Sequence, residues 1–190
     1  MGKASSKLTK EDLRQLKSET YFESKELQQW YKGFLKDCPS GELTKDGLRE
    51  VYKKFFPYGD PSNFSDLVFQ VFDTNNSGTV DFKEFITALS ISSRGTVDEK
   101  LEWAFKLYDR NGDGKISDQE MLQIVEAIYK MIGTMMKLPE DESTPEKRVR
   151  KLFDLLDTDH DGQITFEEFK EGSKKEDTIM GALNLYDGLV

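Results

Sequence analysis

Apolar residues recur at helical spacing on either side of short polar stretches. Leu101, Ala104, Phe105 and Tyr108 fall at i, i+3, i+4 and i+7, and Val149, Leu152, Phe153 and Leu156 repeat the pattern. Phe64, Val68, Phe69 and Phe72 form a comparable stripe. This spacing lines one face of an α-helix. Each stripe runs directly into a polar segment: DTNNSGTVDFKE (Asp73 to Glu84), DRNGDGKISDQE (Asp109 to Glu120) and DTDHDGQITFEE (Asp157 to Glu168). After the first of these, Phe82, Phe85, Ile86 and Leu89 resume helical periodicity. The repeated unit is helix, polar loop, helix.

A weaker copy comes first. Leu27, Trp30, Tyr31 and Phe34 predict a helix, Lys36 to Gly47 holds the loop register, and Leu48, Val51, Tyr52 and Phe55 predict the helix after it. One such unit cannot bury its own apolar face, so four imply two pairs. The expected organisation is an N-terminal arm (1–24), a first pair (25–90), a second pair (98–172) and a tail (173–190). Ser92, Ser93, Arg94 and Gly95 are read as the hinge between the pairs. The Met135–Pro145 stretch, with two prolines and the acids Glu140, Asp141 and Glu142, is read as a surface loop. The tail turns apolar again at Ile179, Met180, Leu183, Leu185, Leu189 and Val190, as a short helix covering a groove or as a loosely docked terminus.

The three strong loops carry the ligand spacing of an EF-hand. Calcium is a hard cation that takes 6–8 oxygens, and such a loop supplies them from positions 1, 3, 5, 7, 9 and 12, with Gly at 6 for a sharp turn. The first set is Asp73, Asn75, Ser77, the Thr79 carbonyl, Asp81 and Glu84. The second is Asp109, Asn111, Asp113, the Lys115 carbonyl, Ser117 and Glu120, and the third is Asp157, Asp159, Asp161, the Gln163 carbonyl, Thr165 and Glu168. Position 8 is Val80, Ile116 or Ile164, an apolar residue suited to a short strand contact between paired loops. The fold class is therefore all-α, four helix-loop-helix units in two pairs with short paired-loop β contacts, and the implied cofactor is Ca2+ at three sites. In Lys36–Gly47, position 1 is Lys36, position 3 is Cys38, position 4 is Pro39 and position 12 is Gly47. With a cation at the start and no closing carboxylate, this loop is structural.

Composition narrows the class. Thirty-six acidic against 27 basic residues leave a net charge of −9, which disfavours a nucleic-acid partner. The ligand carboxylates number three, three and four, so three divalent ions would take −9 to −3. The single Cys38 excludes an internal disulfide framework and points to a reducing compartment. No apolar stretch approaches the roughly 20 residues that span a bilayer. The start, MGKASSK, fits N-myristoylation at Gly2 with Ser6 at the favoured hydroxyl position. One acyl chain binds membrane only marginally, and Lys3, Lys7 and Lys10 add a weak basic contribution. There is no nucleophile-base arrangement, phosphate loop or cofactor motif, and His160, the one histidine, sits inside a calcium loop, so the chain is read as non-enzymatic. Thirteen Phe, seven Tyr and two Trp, concentrated in the first pair, suggest an aromatic surface for a partner helix.

The stretches MGKASSKLTKEDL, ELQQWYKGFLKDCPSG, YKKFFPYGDPS, VDFKEFITALSISSRG, EKLEWAFKLYD, STPEKRV, EGSKKE and ALNLYDGLV resemble the neuronal calcium sensor family, in its frequenin-type branch, over nearly the whole length. The family inactivates its first loop with a Cys-Pro pair such as Cys38-Pro39. The resemblance implies a myristoylated, peripheral, lipid-anchored calcium sensor in the cytoplasm and on the cytoplasmic face of Golgi and plasma membranes. Its implied partner is a phosphatidylinositol 4-kinase helix or another amphipathic helical target. It implies a target groove lined by Trp30, Phe34, Tyr52, Phe55, Phe85, Leu89 and Trp103, for part of which Ile179–Val190 would compete. The alternatives are a calcium buffer, a modulator of receptors, ion channels and exocytosis without a kinase target, and a phosphatase regulatory subunit of similar plan.

Overall fold

The computed structural model describes residues 7–135 and 137–175. Gly2 and the Ile179–Val190 segment lie outside the described residues.

Among the described residues the expected units are all present. The first is α2 (Ser24–Asp37), β1 (Glu42–Leu43) and α3 (Lys45–Phe55), and the second is α4 (Ser62–Phe72), β2 (Val80–Asp81) and α5 (Phe82–Arg94). The third is α6 (Val97–Tyr108), β3 (Lys115–Ser117) and α7 (Asp118–Ile132), and the fourth is α8 (Pro145–Leu156), β4 (Gln163–Thr165) and α9 (Phe166–Ser173). The loops meet in pairs as two-stranded antiparallel contacts, Leu43 opposite Val80 and Ile116 opposite Ile164. These four position-8 side chains are buried, so each contact fixes the two loops through both backbone pairing and apolar packing. No helix among the described residues is long and apolar enough to cross a membrane.

Three features differ from the expectation. The arm contains a helix, α1 (Lys10–Glu19), started by a capping box in which Thr9 and Asp12 satisfy each other's backbone N–H groups. Its Leu16, with Phe22 beyond it, is buried in the first core. The expected hinge is mostly helical: Ser92, Ser93 and Arg94 form the last turn of α5, leaving Gly95 and Thr96 between α5 and α6. The Ser92 and Ser93 hydroxyls donate back to the Leu89 carbonyl, which lets polar residues continue a helix. The Met135–Pro145 stretch holds a 3₁₀ turn, Glu140–Glu142, whose Glu142 is buried against Arg148 at 3.0 Å.

The larger core is not confined to the first pair. It takes in Trp103 and Leu107 of α6 and Ile124, Ala127 and Met131 of α7, while Met121 and Val125 of α7 belong to the second core with Leu101, Leu152 and Phe169. Both α6 and α7 therefore have a face in each core.

Candidate metal centres and an apolar groove

Each strong loop begins where a helix stops. Asp73, Asp109 and Asp157 cap α4, α6 and α8, and their N–H groups donate to the carbonyls of Phe69, Phe105 and Phe153. Their carboxylates turn inward over the loop backbone. The N–H groups of Ser77 and Gly78 donate to the two oxygens of Asp73 at 2.9 and 2.8 Å. Asp109 accepts from Gly112 and Gly114 at 2.9 Å each, and Asp157 accepts from Asp161 and Gly162 at 3.2 and 3.0 Å.

The turn needs left-handed backbone twice. Position 6 is Gly78, Gly114 or Gly162, with φ of 84°, 86° and 81°. Position 4 is also left-handed, at Asn76 (54°), Gly112 (71°) and His160 (57°). The ligand pattern marks only the first of these. The second had one signal, the Asn and Gly types that tolerate such backbone. His160 is exposed at this position.

Position 12 does two jobs. Glu84, Glu120 and Glu168 sit in the first turn of the outgoing helix and form capping boxes with position 9, Asp81, Ser117 and Thr165. One oxygen of each takes the position-9 N–H, while the other reaches the start of the loop, at Asn75, Asn111 and Asp159. A carboxylate has about four lone-pair sites. Glu is thus held across the loop mouth with capacity left for a cation. Partial burial raises the Glu168 pKa, but the Thr165 N–H, the Thr158 and Thr165 hydroxyls and the Asp159 N–H outweigh it and hold the carboxyl at about 2. Burial likewise works against the Glu120 charge, and the Ser117, Asn111 and Arg110 donors still bring its pKa below the usual range. Both are anions at neutral pH.

The remaining ligand positions lie around these two ends. Asn75 and Asn111 accept from the N–H of Ser77 and Asp113, and Asp113 and Asp161 accept from Lys115 and Gln163. In the last loop Asp157, Asp159 and Asp161 bring ligand oxygens within 4.8 Å of one another. The first two strong loops have Asn at position 3, so an amide oxygen stands where the last loop has a carboxylate. The Lys115 ammonium lies 3.5 Å from Asp161 of the neighbouring loop, a protein cation beside a site built for cations. An oxygen-only donor set, a glycine turn without Cβ and a bidentate-capable Glu fit a hard divalent ion of calcium size.

Lys36–Gly47 shares the strand and lacks the chamber. α2 runs on through Lys36 and Asp37 and is capped by Cys38, so the first two loop positions are helical. Its cap lies five residues before Leu43, whereas Asp73 lies seven before Val80. Position 4 is Pro39, whose ring holds φ near −65° and cannot take the left-handed turn. Thr44 caps α3 by accepting from the Gly47 N–H, but Gly47 has no side chain to reciprocate. The ligand end of this loop has been converted into helix.

The first pair also carries a cavity of about 590 Å³. Trp30, Phe34, Tyr52, Phe55, Phe85 and Leu89 line it, with Val51 and Phe55 exposed on its α3 rim. Trp103 does not line it: its ring is buried behind Phe72, edge-on at 6.3 Å. The lining reading missed Leu43, Leu48, Val51 and Phe72, and Leu48, Val51 and Tyr52 do share one helical face. Arg94 closes the rim, paired with Glu26 at 2.7 Å and lying over Phe22.

Comparison with known proteins matches these regions. The EF-hand domain pair model covers residues 98–174 and the EF hand domain model covers residues 66–91. Neuronal calcium sensor 1 of Lymnaea stagnalis is 55% identical over 187 residues, 98% of either chain. Neuronal calcium sensor 1 of Aplysia californica is 54% identical over the same span, and human recoverin is 45% identical over 91% of this chain and 88% of its own.

Proposed function

This chain belongs to the neuronal calcium sensor family, and from that premise we propose that it binds three Ca2+ ions and regulates a helical target through the apolar cavity of its first pair. One observation carries the reading: a loop chamber pre-shaped for a hard cation stands in the unit that forms part of the cavity wall. Glu84 begins the same helix, α5, that supplies Phe85 and Leu89 to that wall. The ligands are those of Asp73–Glu84, Asp109–Glu120 and Asp157–Glu168, and calcium supplies the charge that draws them together.

The cavity suits an amphipathic helix, with apolar walls and rim charges at Glu26, Asp37 and Arg94. We assign the target to a phosphatidylinositol 4-kinase helix, by the frequenin-type resemblance. Acylation at Gly2 would place the protein on the cytoplasmic face of Golgi and plasma membranes, with weak basic help from the first lysines. Family and loops together favour a sensor over an enzyme.

Calorimetric calcium titration of the myristoylated protein, with and without a phosphatidylinositol 4-kinase peptide, tests the reading. Three ions and a peptide that binds more tightly in calcium support it, and linkage requires the peptide to raise calcium affinity by the same factor. Calcium binding with no effect on apolar exposure would make the protein a buffer.

A further inference from the structure

Two glycines meet where the halves of the molecule touch. The loop between α3 and α4 runs against the C-terminal end of α7 so closely that a Cβ on Gly59 would stand 2.1 Å from the Met131 carbonyl oxygen. A Cβ on Gly133, which has φ of 56°, would stand 2.5 Å from the Tyr58 carbonyl oxygen. The Asp60 N–H donates to the Lys130 carbonyl at 2.8 Å, satisfying an acceptor that the end of α7 leaves open. Backbone packed on backbone with a shared hydrogen bond transmits displacement, because there is no side chain between to yield.

The elements joined here have different tasks. α3 is a wall of the cavity through Leu48, Val51, Tyr52 and Phe55, and the seam begins just after its last residue. α7 starts at the Asp109–Glu120 loop, its first turn holding Glu120, and ends at the seam. Between its ends it is seated in both cores. By contrast, α8 and α9, which flank Asp157–Glu168, pack on α6, α7 and the 3₁₀ turn.

We infer that calcium in the Asp109–Glu120 loop regulates the cavity of the other half, through α7 and the Gly59–Gly133 seam. The inference rests on reading the cavity as calcium-responsive. Glu120 moving onto an ion re-aims α7, and the seam passes that shift to the α3 wall. The Asp157–Glu168 loop reaches the seam only at second hand, by α8 packed on α7 and by the β3–β4 pairing, and none of its own helices ends there.

Amide hydrogen exchange on the full chain, with calcium alone as ligand, tests this. Wild type should show exchange at residues 51–56 and at Asp60 changing between about 5- and 150-fold on calcium addition, the usual range of coupling between sites. The Glu84→Gln variant silences the nearby loop and should keep a response above about 5-fold. Adding Glu120→Gln should cut it below about twofold, and adding Glu168→Gln should not. Gly59→Ala in the Glu84→Gln background should also abolish it while both distant loops still fill. If Gly59→Ala fails to fold, the Glu120→Gln arm decides alone, since it leaves the seam untouched. A response in wild type that vanishes in Glu84→Gln, or survives Glu120→Gln, overturns the inference and leaves the sensor reading standing. No response in wild type with ions bound overturns both.

Discussion

Lys36–Gly47 and Asp73–Glu84 are partners in one pair and share a strand contact, yet only the second has a chamber for an ion. Both bury an apolar residue at position 8, Leu43 and Val80, and both hand on to a capped helix. They part at the ends. Asp73 stops α4 at loop position 1 and turns its carboxylate over the backbone, whereas α2 continues two residues further before Cys38 stops it. Glu84 closes its loop and caps its helix in one gesture, and Gly47 does neither. The strand contact and the ion chamber are therefore separable, and the first loop retains what its partner needs while lacking what calcium needs.

That separation is best broken at Leu43. Leu43→Ala should cost about 2–5 kcal/mol of stability, as buried leucine truncations do, and should weaken calcium at Asp73–Glu84 although no ligand has changed. Thermal unfolding and a calcium titration of that variant check both parts. Glu84→Gln makes the converse cut: calcium affinity of that loop should fall by at least about 100-fold, beyond the loss typical of groups that merely support a ligand. The strand pairing should persist, so amide exchange at Val80 should be nearly unchanged.

Gly47→Glu sharpens the contrast. A Glu at this position would complete the capping box with Thr44 and remove a helical glycine, worth about 1 kcal/mol. The new Cβ meets Leu43 Cδ1 at 3.0 Å, the far end of a flexible side chain that can move aside. The melting temperature should rise with no fourth ion, because Pro39 still forbids the turn.

Acid should separate the loops as well. The folded Glu168 pKa of about 2 is depressed from 4.5, so its contribution is present above pH 4.5 and disappears as pH falls towards 2. Near-ultraviolet circular dichroism of calcium-free protein should show the second pair losing order in that window, and Glu168→Gln should remove that component. The smallest effect is His160→Gly. It relieves left-handed strain on a branched side chain but adds unfolded-state entropy, for a net change of about 0.5 kcal/mol or less by thermal melting.

Much of this was legible because ligand loops constrain residue type at fixed spacing, and stripes such as Leu101, Ala104, Phe105 and Tyr108 fix the helices before them. The double duty of Glu84, Glu120 and Glu168 was hidden, since a ligand spacing and a capping box coincide at positions 9 and 12. Position 4 was hidden too, because Asn76 and His160 are not obligate left-handed residues. α1 was missed because Leu13 and Leu16 give it only a thin apolar stripe. The polar Ser92-Ser93-Arg94 run concealed the end of α5, since its hydroxyls bond back along the helix. Trp103 was placed at the groove by resemblance, and packing against Phe72 puts it behind the wall instead. The seam at Gly59 and Gly133 is a tertiary fact that no local pattern announces.

The central claim is that three loops hold calcium and the first cannot. Native mass spectrometry of wild type and of the Glu84→Gln, Glu120→Gln and Glu168→Gln variants in calcium counts the ions directly. The account predicts three ions for wild type and two for each variant. A fourth ion on wild type, or a variant that still binds three, would contradict it.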